Sequence, residues 1–434
     1  MTRRNFWLGV FNGLFFTLAD TLMDSSLVIV AFVGHLTQST FWLGLVVPLR
    51  DGGWFLPQLW TSGYLQSQPR KLRLYGQMAG VRLIALISLV LAILGLRDRT
   101  WLLVAFFLCF GVYSIASGFS GLPFLEVVGK TIPPQKRGMF FAWRLALGGV
   151  AAIGASMVVK LFVDDRGPLA FPYNYALLFG FATVWTAVGL LAYSFVIEPP
   201  DTHLRPPASF VAQIRRALAI ARADYNYRHF IYLRAALMIA GAAIPFFAVY
   251  VQRQLGGSLS FIGIYLGTLT TAGLAANILF GRFSARLGNR RTLALGAWAG
   301  LAMLGVVLAL MLLAAPLRLS PLAASLWLLP AFALAGIRDS GIGVSGQPLL
   351  LDIAPPAERS LYLGFSNSLL GVVLLSTGLS GLLVSAFGFL SIVVVALAAN
   401  VFALYAAARI GETKPASLYE PDITHTAPDA HAAP

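Results

Sequence analysis

Six ionisable residues stand inside long apolar runs and set the chemical question. Asp20 and Asp24 fall in "LFFTLADTLMDSSLVIVAF", Arg50 and Asp51 in "VVPLRDGGWFLPQL", and Arg338 and Asp339 in "LAGIRDSGIG". A charge placed in hydrocarbon costs on the order of a few kcal/mol, so such residues mark a partner or a pathway. Asp20 and Asp24 are four apart and hence share one helical face. Arg50 can pair with Asp20, Asp24 or Asp51, and Arg338 with Asp339. Four acids against two arginines then leave carboxylates over, and a carboxylate without a partner in low dielectric is suited to carry a proton. Asp24 or Asp20 is the expected carrier. The arginines either hold an anionic solute group or neutralise the acids, and the sequence leaves both open.

The elements that must position these residues follow from composition. The chain has 434 residues, 58% hydrophobic and only 11% charged, against a usual charged share of about a quarter. The apolar residues come in runs of about 20, enough to cross a bilayer core as helices. Barrels of short alternating strands are excluded by those unbroken runs. Twelve spans are expected, near 7–33, 39–61, 75–95, 100–126, 139–162, 173–196, 230–252, 260–281, 292–314, 322–351, 361–384 and 387–409. The fold class is therefore an all-α membrane protein of two six-helix halves. Residues 1–197 form the first half, 198–228 a cytoplasmic linker, 229–411 the second half and 412–434 a polar, disordered tail.

The net charge of +14 reads as topology rather than nucleic-acid binding. Lys and Arg gather in the loops that share a side with both termini, around Arg3 and Arg4, Arg70 to Arg73, Lys130 to Arg137, Arg205 to Arg228, Arg282 to Arg291, and Arg359, Arg409 and Lys414. The other side has Arg97, Arg99, Arg166, Arg253 and Arg318, partly offset by acids. The positive-inside rule puts both termini in the cytoplasm of a cell inner or plasma membrane. Within the linker, Phe210, Ile214, Leu218 and Ala221 share a helical face, with Arg215, Arg216 and Arg222 elsewhere, as in a helix lying on the membrane surface or a solvated one.

The halves repeat one another. "SGLPFLE" from Ser120 recurs as "SGQPLLLD" from Ser345, an offset of 225, and "PPQKR" ending at Arg137 recurs as "PPAER" ending at Arg359, an offset of 222. Duplicated six-helix halves are a transporter architecture, with the solute site between them near the midplane. Glu126 and Asp352 close spans four and ten at equivalent positions. With Arg137 and Arg359 they suggest a gate whose opposite charges meet only when the cytoplasmic side is shut.

Between spans eight and nine lies "GRFSARLGNRR" (Gly281 to Arg291). It resembles the cytoplasmic loop signature of the major facilitator superfamily, Gly-x-x-x-Asp-Arg-x-Gly-Arg-Arg/Lys, matching at Gly281, Arg286, Gly288, Arg290 and Arg291. Ala285 stands where the family has an acid and Asn289 where it commonly has arginine. The first-half copy, "GYLQSQPRKLR" from Gly63, keeps the glycine and the trailing cations. The resemblance implies a secondary transporter working by alternating access, with spans one, four, seven and ten lining the cavity and the Asp-Arg part of the motif locking the closed state. The lost acid puts that lock in question here.

Other chemistry is missing. No Walker motif, His-Glu-x-x-His, metal-ligand cluster or Gly-x-Ser-x-Gly elbow occurs in the sequence, which speaks against ATP drive, an enzyme, a metal or a cofactor. The one cysteine, Cys109, excludes an intramolecular disulfide. Arg82, Arg144 and Arg234 lie near span ends, where snorkelling to headgroups is expected. The expected partners are a small organic solute, protons and the lipid bilayer, with no nucleic acid, and the chain is expected to act as a monomer. The alternatives are an uncoupled facilitator and a non-transporting membrane assembly or sensor protein.

Overall fold

The computed structural model describes residues 2–65, 67–164, 167–201, 210–355 and 358–411. The expectations for the tail 412–434 and for Arg166, Arg205 and Lys414 lie outside the described residues. Everything regular within them is helical. In chain order the helices are α1 (Thr2–Leu22), α2 (Val28–Leu36), α3 (Thr40–Phe55), α4 (Gln58–Leu65), α5 (Leu72–Gly95), α6 (Arg99–Thr131), α7 (Pro134–Val163), α8 (Tyr173–Ser194) and α9 (Phe210–Ala223). They continue as α10 (Tyr225–Gly241), α11 (Ile244–Leu255), α12 (Phe261–Leu287), α13 (Asn289–Leu313), α14 (Pro321–Trp327), α15 (Leu329–Ile353), α16 (Arg359–Ser376), α17 (Ser380–Phe387) and α18 (Phe389–Arg409).

Ten segments from α5 onward are long and apolar enough to cross a membrane, counting α10 with α11, α14 with α15 and α16 with α17 as single crossings. The first two expected crossings correspond to α1 with α2 and α3 with α4, and each is broken. Pro57 breaks the second, because a proline cannot donate its backbone bond and crowds the preceding turn. The chain is thus a multi-pass helical membrane protein.

The sequence repeat reappears as packing. In the first half α1 packs on α7 and α8, α5 on α6 and α8, and α3 on α6. In the second half α10 packs on α16 and α18, α13 on α15 and α18, and α12 on α15. Each of these contacts has its counterpart in the other half.

Two flanks join the halves: α3 and α4 against α16 and α17, and α7 against α12. The first contact runs the length of the crossing. At one end a Cβ on Gly44 would come within 2.6 Å of the Gly381 backbone nitrogen, so only glycine permits that approach. Towards the other end Asn367 Nδ2 donates to Gln58 Oε1 at 2.8 Å and Gly364 sits against Leu59. The second contact is shorter. It runs outward from Gly149 and Leu274 to Gly267 beside Ser156 and Gly263 beside Lys160. Towards the side bearing the termini the two helices part. From Met139 to Ala146 all residues but Phe140 and Arg144 are exposed, and from Ile278 to Leu287 all but Phe280 and Ser284.

The apolar cores carry the same asymmetry. On the side away from the termini one cluster joins both halves, including Phe32, Val46, Phe106, Val159, Phe247, Leu266, Phe332 and Ile392. Arg253 reinforces it by donating to the backbone oxygens of Gln38 at 2.8 Å and Thr37 at 3.2 Å. On the terminus side there are two clusters. One draws only on the first half, around Phe6, Tyr75 and Phe140, and the other only on the linker and second half, around Ala217, Tyr227 and Leu349. The molecule is closed on the far side and parted on the terminus side.

The connector is fastened at both ends. Glu198 accepts from the Lys71 and Leu72 backbone amides at 2.9 and 2.8 Å, capping α5, and pairs with Lys130 at 2.8 Å. Asp201 bridges Lys71 at 2.9 Å and Lys130 at 2.8 Å. Helix α9 then packs on α16, α10 and α4. The face it buries corrects the expected one. Ala217 is buried, with Ile220 and Ala221 beside it, whereas Leu218 is 40% exposed; the side chain of Phe210 lies outside the described set. The cause is contact with the second half, which turns the helix away from the face that its large apolar residues alone would choose.

In the motif loop, α12 runs through Gly281 to Leu287, and only Gly288 makes the turn, at φ +82 and ψ 160. That conformation is open essentially to glycine alone. Gly288→Ala should therefore lower stability by about 1–3 kcal/mol, while Gly281→Ala, in mid-helix with open space around it, should be neutral or stabilise by about 0.5–1 kcal/mol. Thermal unfolding in detergent would show both, and equal effects would contradict the assignment. Against the burial that pushes it up, the Asp201 carboxyl is held below its ordinary range by Lys130 and Lys71. Its contribution is thus present above the ordinary carboxylate range and lost as pH falls through the lowered value. Asp201→Asn should lower the unfolding midpoint at pH 7, and the gap to the unaltered protein should narrow only in strong acid.

Candidate functional site

Five of the six residues singled out in the apolar runs fall into two charge groups, one per half. In the first, Arg50 of α3 reaches Asp20 of α1 at 3.0 Å and Asp51 at 3.8 Å. Ser114 of α6 steadies this turn by donating to the Arg50 carbonyl. The Asp20 and Asp51 side chains are 48% and 39% exposed, so both are open to the space between helices. In the second group Arg338 pairs with its neighbour Asp339 at 2.5 Å. Its other nitrogen donates to the Leu237 carbonyl at the end of α10. Arg338 is 6% exposed and Asp339 49%: the cation is drawn into its half and the acid is left at the surface of the gap. The arginine of each group is thus engaged by acids of its own half.

Asp24 differs from the expectation. Helix α1 ends at Leu22 and α2 begins at Val28, so Asp20 and Asp24 do not share a continuous helical face. Asp24 Oδ1 instead accepts from the backbone amides of Ser26 at 3.0 Å and Leu27 at 2.8 Å. A carboxylate competing for local amides favours a turn over a helix, and in "MDSSL" Asp24 is followed by two serines that also weaken helical continuity. The aspartate closes the turn leading into α2.

The four gate residues are apart. Glu126 is exposed. Arg137 turns back on the carbonyls of Ile132 at 3.1 Å and Gly129 at 2.5 Å. Asp352 accepts from Asn289 Nδ2 at 2.7 Å, and Ser284 donates to Asn289 Oδ1 at 2.5 Å. Glu358 takes Arg216 of α9 at 2.6 Å, while Arg359 keeps its Nε without a partner among the described residues. In the motif loop, Arg290 donates to the Ile410 carbonyl at the end of α18, and Arg286 is exposed. Asn289, a departure from the family pattern, thus makes the loop's bond to the end of α15.

Three arginines depart from the snorkelling expectation. Arg82 is 4% exposed, with its guanidinium 4.5 Å from the Phe16 ring centroid and 5.2 Å from that of Tyr113. Arg144 donates to Gly9 O and to Asn12 Oδ1, the latter at 3.0 Å, and lies 4.6 Å from the Phe124 ring centroid. Arg234 stands partly buried beside Gly346 of α15. All three point inward because their helices present those faces to neighbouring helices, which distance from a span end does not reveal. A signal was present in the aromatic and amide residues of α1, Asn12 and Phe16, that receive two of them.

Residues 230–427 match the family described as Major Facilitator Superfamily. Nearly the whole chain shares its fold with solved transporters. A D-xylose-proton symporter aligns with TM-score 0.71 at 14% identity, over 92% of this chain and 96% of that one. The nucleoside transporter NupG aligns with TM-score 0.71 at 13% identity, over 93% and 100%. An auto-inhibited POT family peptide transporter aligns with TM-score 0.68 at 13% identity, over 94% and 96%. No curated protein matches the chain in sequence. At such identities these likenesses are of fold.

If Asp24 acts as a turn cap, Asp24→Ala should cost about 1 kcal/mol, and Asp24→Asn, which offers the same carbonyl oxygen, clearly less. Thermal unfolding of both variants decides it; an equal loss would assign the role to the charge.

Proposed function

From the match of residues 230–427 to the Major Facilitator Superfamily and the fold shared with solved transporters, we propose that the chain belongs to that superfamily and is a secondary active transporter of the cell inner membrane, acting as a monomer with both termini cytoplasmic. It moves a small organic solute by alternating access. The observation that carries this reading is the pairing of one shared apolar core on the far side with two separate cores on the terminus side, with charged groups at the junction. A solute entering from the parted side meets Asp20, Asp51 and Asp339 before it meets the closed core.

Proton coupling follows from charge counting. Asp20, Arg50 and Asp51 together carry one negative charge too many, and one proton makes the trio neutral. Asp51 is the favoured carrier, because its 3.8 Å contact with Arg50 is looser than that of Asp20 at 3.0 Å. The gate pairs Glu126 with Arg359 and Asp352 with Arg137 would form as the terminus side shuts, releasing Asp352 from Asn289.

Proteoliposomes enclosing a pH-sensitive dye test the reading against sugars, nucleosides, organic acids, amines and short peptides. A coupled solute should enter and shift luminal pH, and Asp51→Asn should abolish both the shift and accumulation while equilibration persists. Solute entry with no pH shift means an uncoupled facilitator. The absence of flux and of binding across the panel would favour a non-transporting membrane partner.

A further inference from the structure

Among the described residues, pairing off the arginines that are buried or half-buried inside the spans leaves Arg234 over. Arg50 is taken by Asp20 and Asp51, and Arg338 by Asp339 and the Leu237 carbonyl. Arg144 is held by Gly9 and Asn12, and Arg82 by the Phe16 and Tyr113 rings. Arg234 has no ion pair, hydrogen bond or ring contact among the described residues. Nine residues separate it from Tyr225 at the start of α10, about 13 Å of helix. It is on the terminus side, where the halves are parted. The side chain is only partly buried, so a solute entering there can reach it.

A guanidinium inside a span that has neither acid nor carbonyl is costly to keep. Its planar fork of donors matches the paired oxygens of a carboxylate or phosphate. The two arginines most prominent in the sequence are already neutralised, so they are poor anion receivers; the unengaged one is in α10. We propose that the transported solute carries a carboxylate or phosphate group and that Arg234 receives it in the parted vestibule. This rests on the transport reading above and adds the substrate class.

The test is thermal unfolding of the full chain in nanodiscs of zwitterionic lipid, with matched probes: succinate against succinamide, benzoate against benzamide, and glucose 6-phosphate against glucose. At least one anion should raise the midpoint where its neutral partner does not. Arg234→Gln should weaken that apparent affinity by about ten- to hundredfold, and Arg234→Lys by less. Without ligand, Arg234→Gln should melt at the same temperature or higher, because an unpartnered charge has been removed; a large fall would make Arg234 structural and overturn the proposal. Stabilisation by neutral probes that survives Arg234→Gln would overturn the anion assignment and leave transport standing. Stabilisation only on adding phosphatidylglycerol would assign the site to a lipid headgroup and overturn it as a solute site. No stabilisation by any soluble probe, with no flux in proteoliposomes, would overturn both readings.

Discussion

A charge in hydrocarbon must be compensated nearby, and here the two midplane arginines are compensated within their own halves. Arg50 leans on acids of α1 and α3, and Arg338 on an acid of α15 and a carbonyl of α10. The consequence is mechanical. Had Arg50 paired with Asp339, separating the halves would expose two bare charges at once. With compensation internal to each body, no ion pair of these groups joins the halves among the described residues, and the acids stand open to the gap.

The second constraint is apolar. Six-helix bodies with two interior faces can merge their cores at one end and part at the other. This chain shares its core on the side away from the termini and separates on the terminus side. The gate residues fit that state. Opposite charges of the two halves are occupied locally, by Asn289 for Asp352 and by main-chain oxygens for Arg137, as expected where no partner from the other half is within reach.

Much of this was legible in the sequence. Runs of apolar residues gave the crossings, the Ser-Gly-x-Pro and Pro-Pro-x-x-Arg repeats gave the duplication, and charges in those runs named Asp20, Arg50, Asp51, Arg338 and Asp339. What stayed hidden depended on neighbours distant in the chain. The break at Met23 to Leu27 needs the competition of Asp24 for local amides, which hydropathy does not register. The face of α9 was set by Ala217, a residue too small to weigh in a helical-face argument. Arg144 and Arg234 looked alike by depth, yet one meets Asn12 and the other has no hydrogen-bond or ion-pair partner among the described residues, a difference that only packing creates.

The two flanks are unequal. One flank, α3 and α4 on α16 and α17, stays in contact from end to end, whereas the other, α7 on α12, lets go beyond Gly149 and Leu274. Such a pair of bodies is joined along one edge and open along the other. The separation is least beside the glycine-lined contact of Gly44 with Gly381 and greatest between the free ends of α7 and α12. The aperture is therefore a wedge rather than a ring, and what passes is sorted by its narrow dimension at the joined edge and its broad dimension at the free edge.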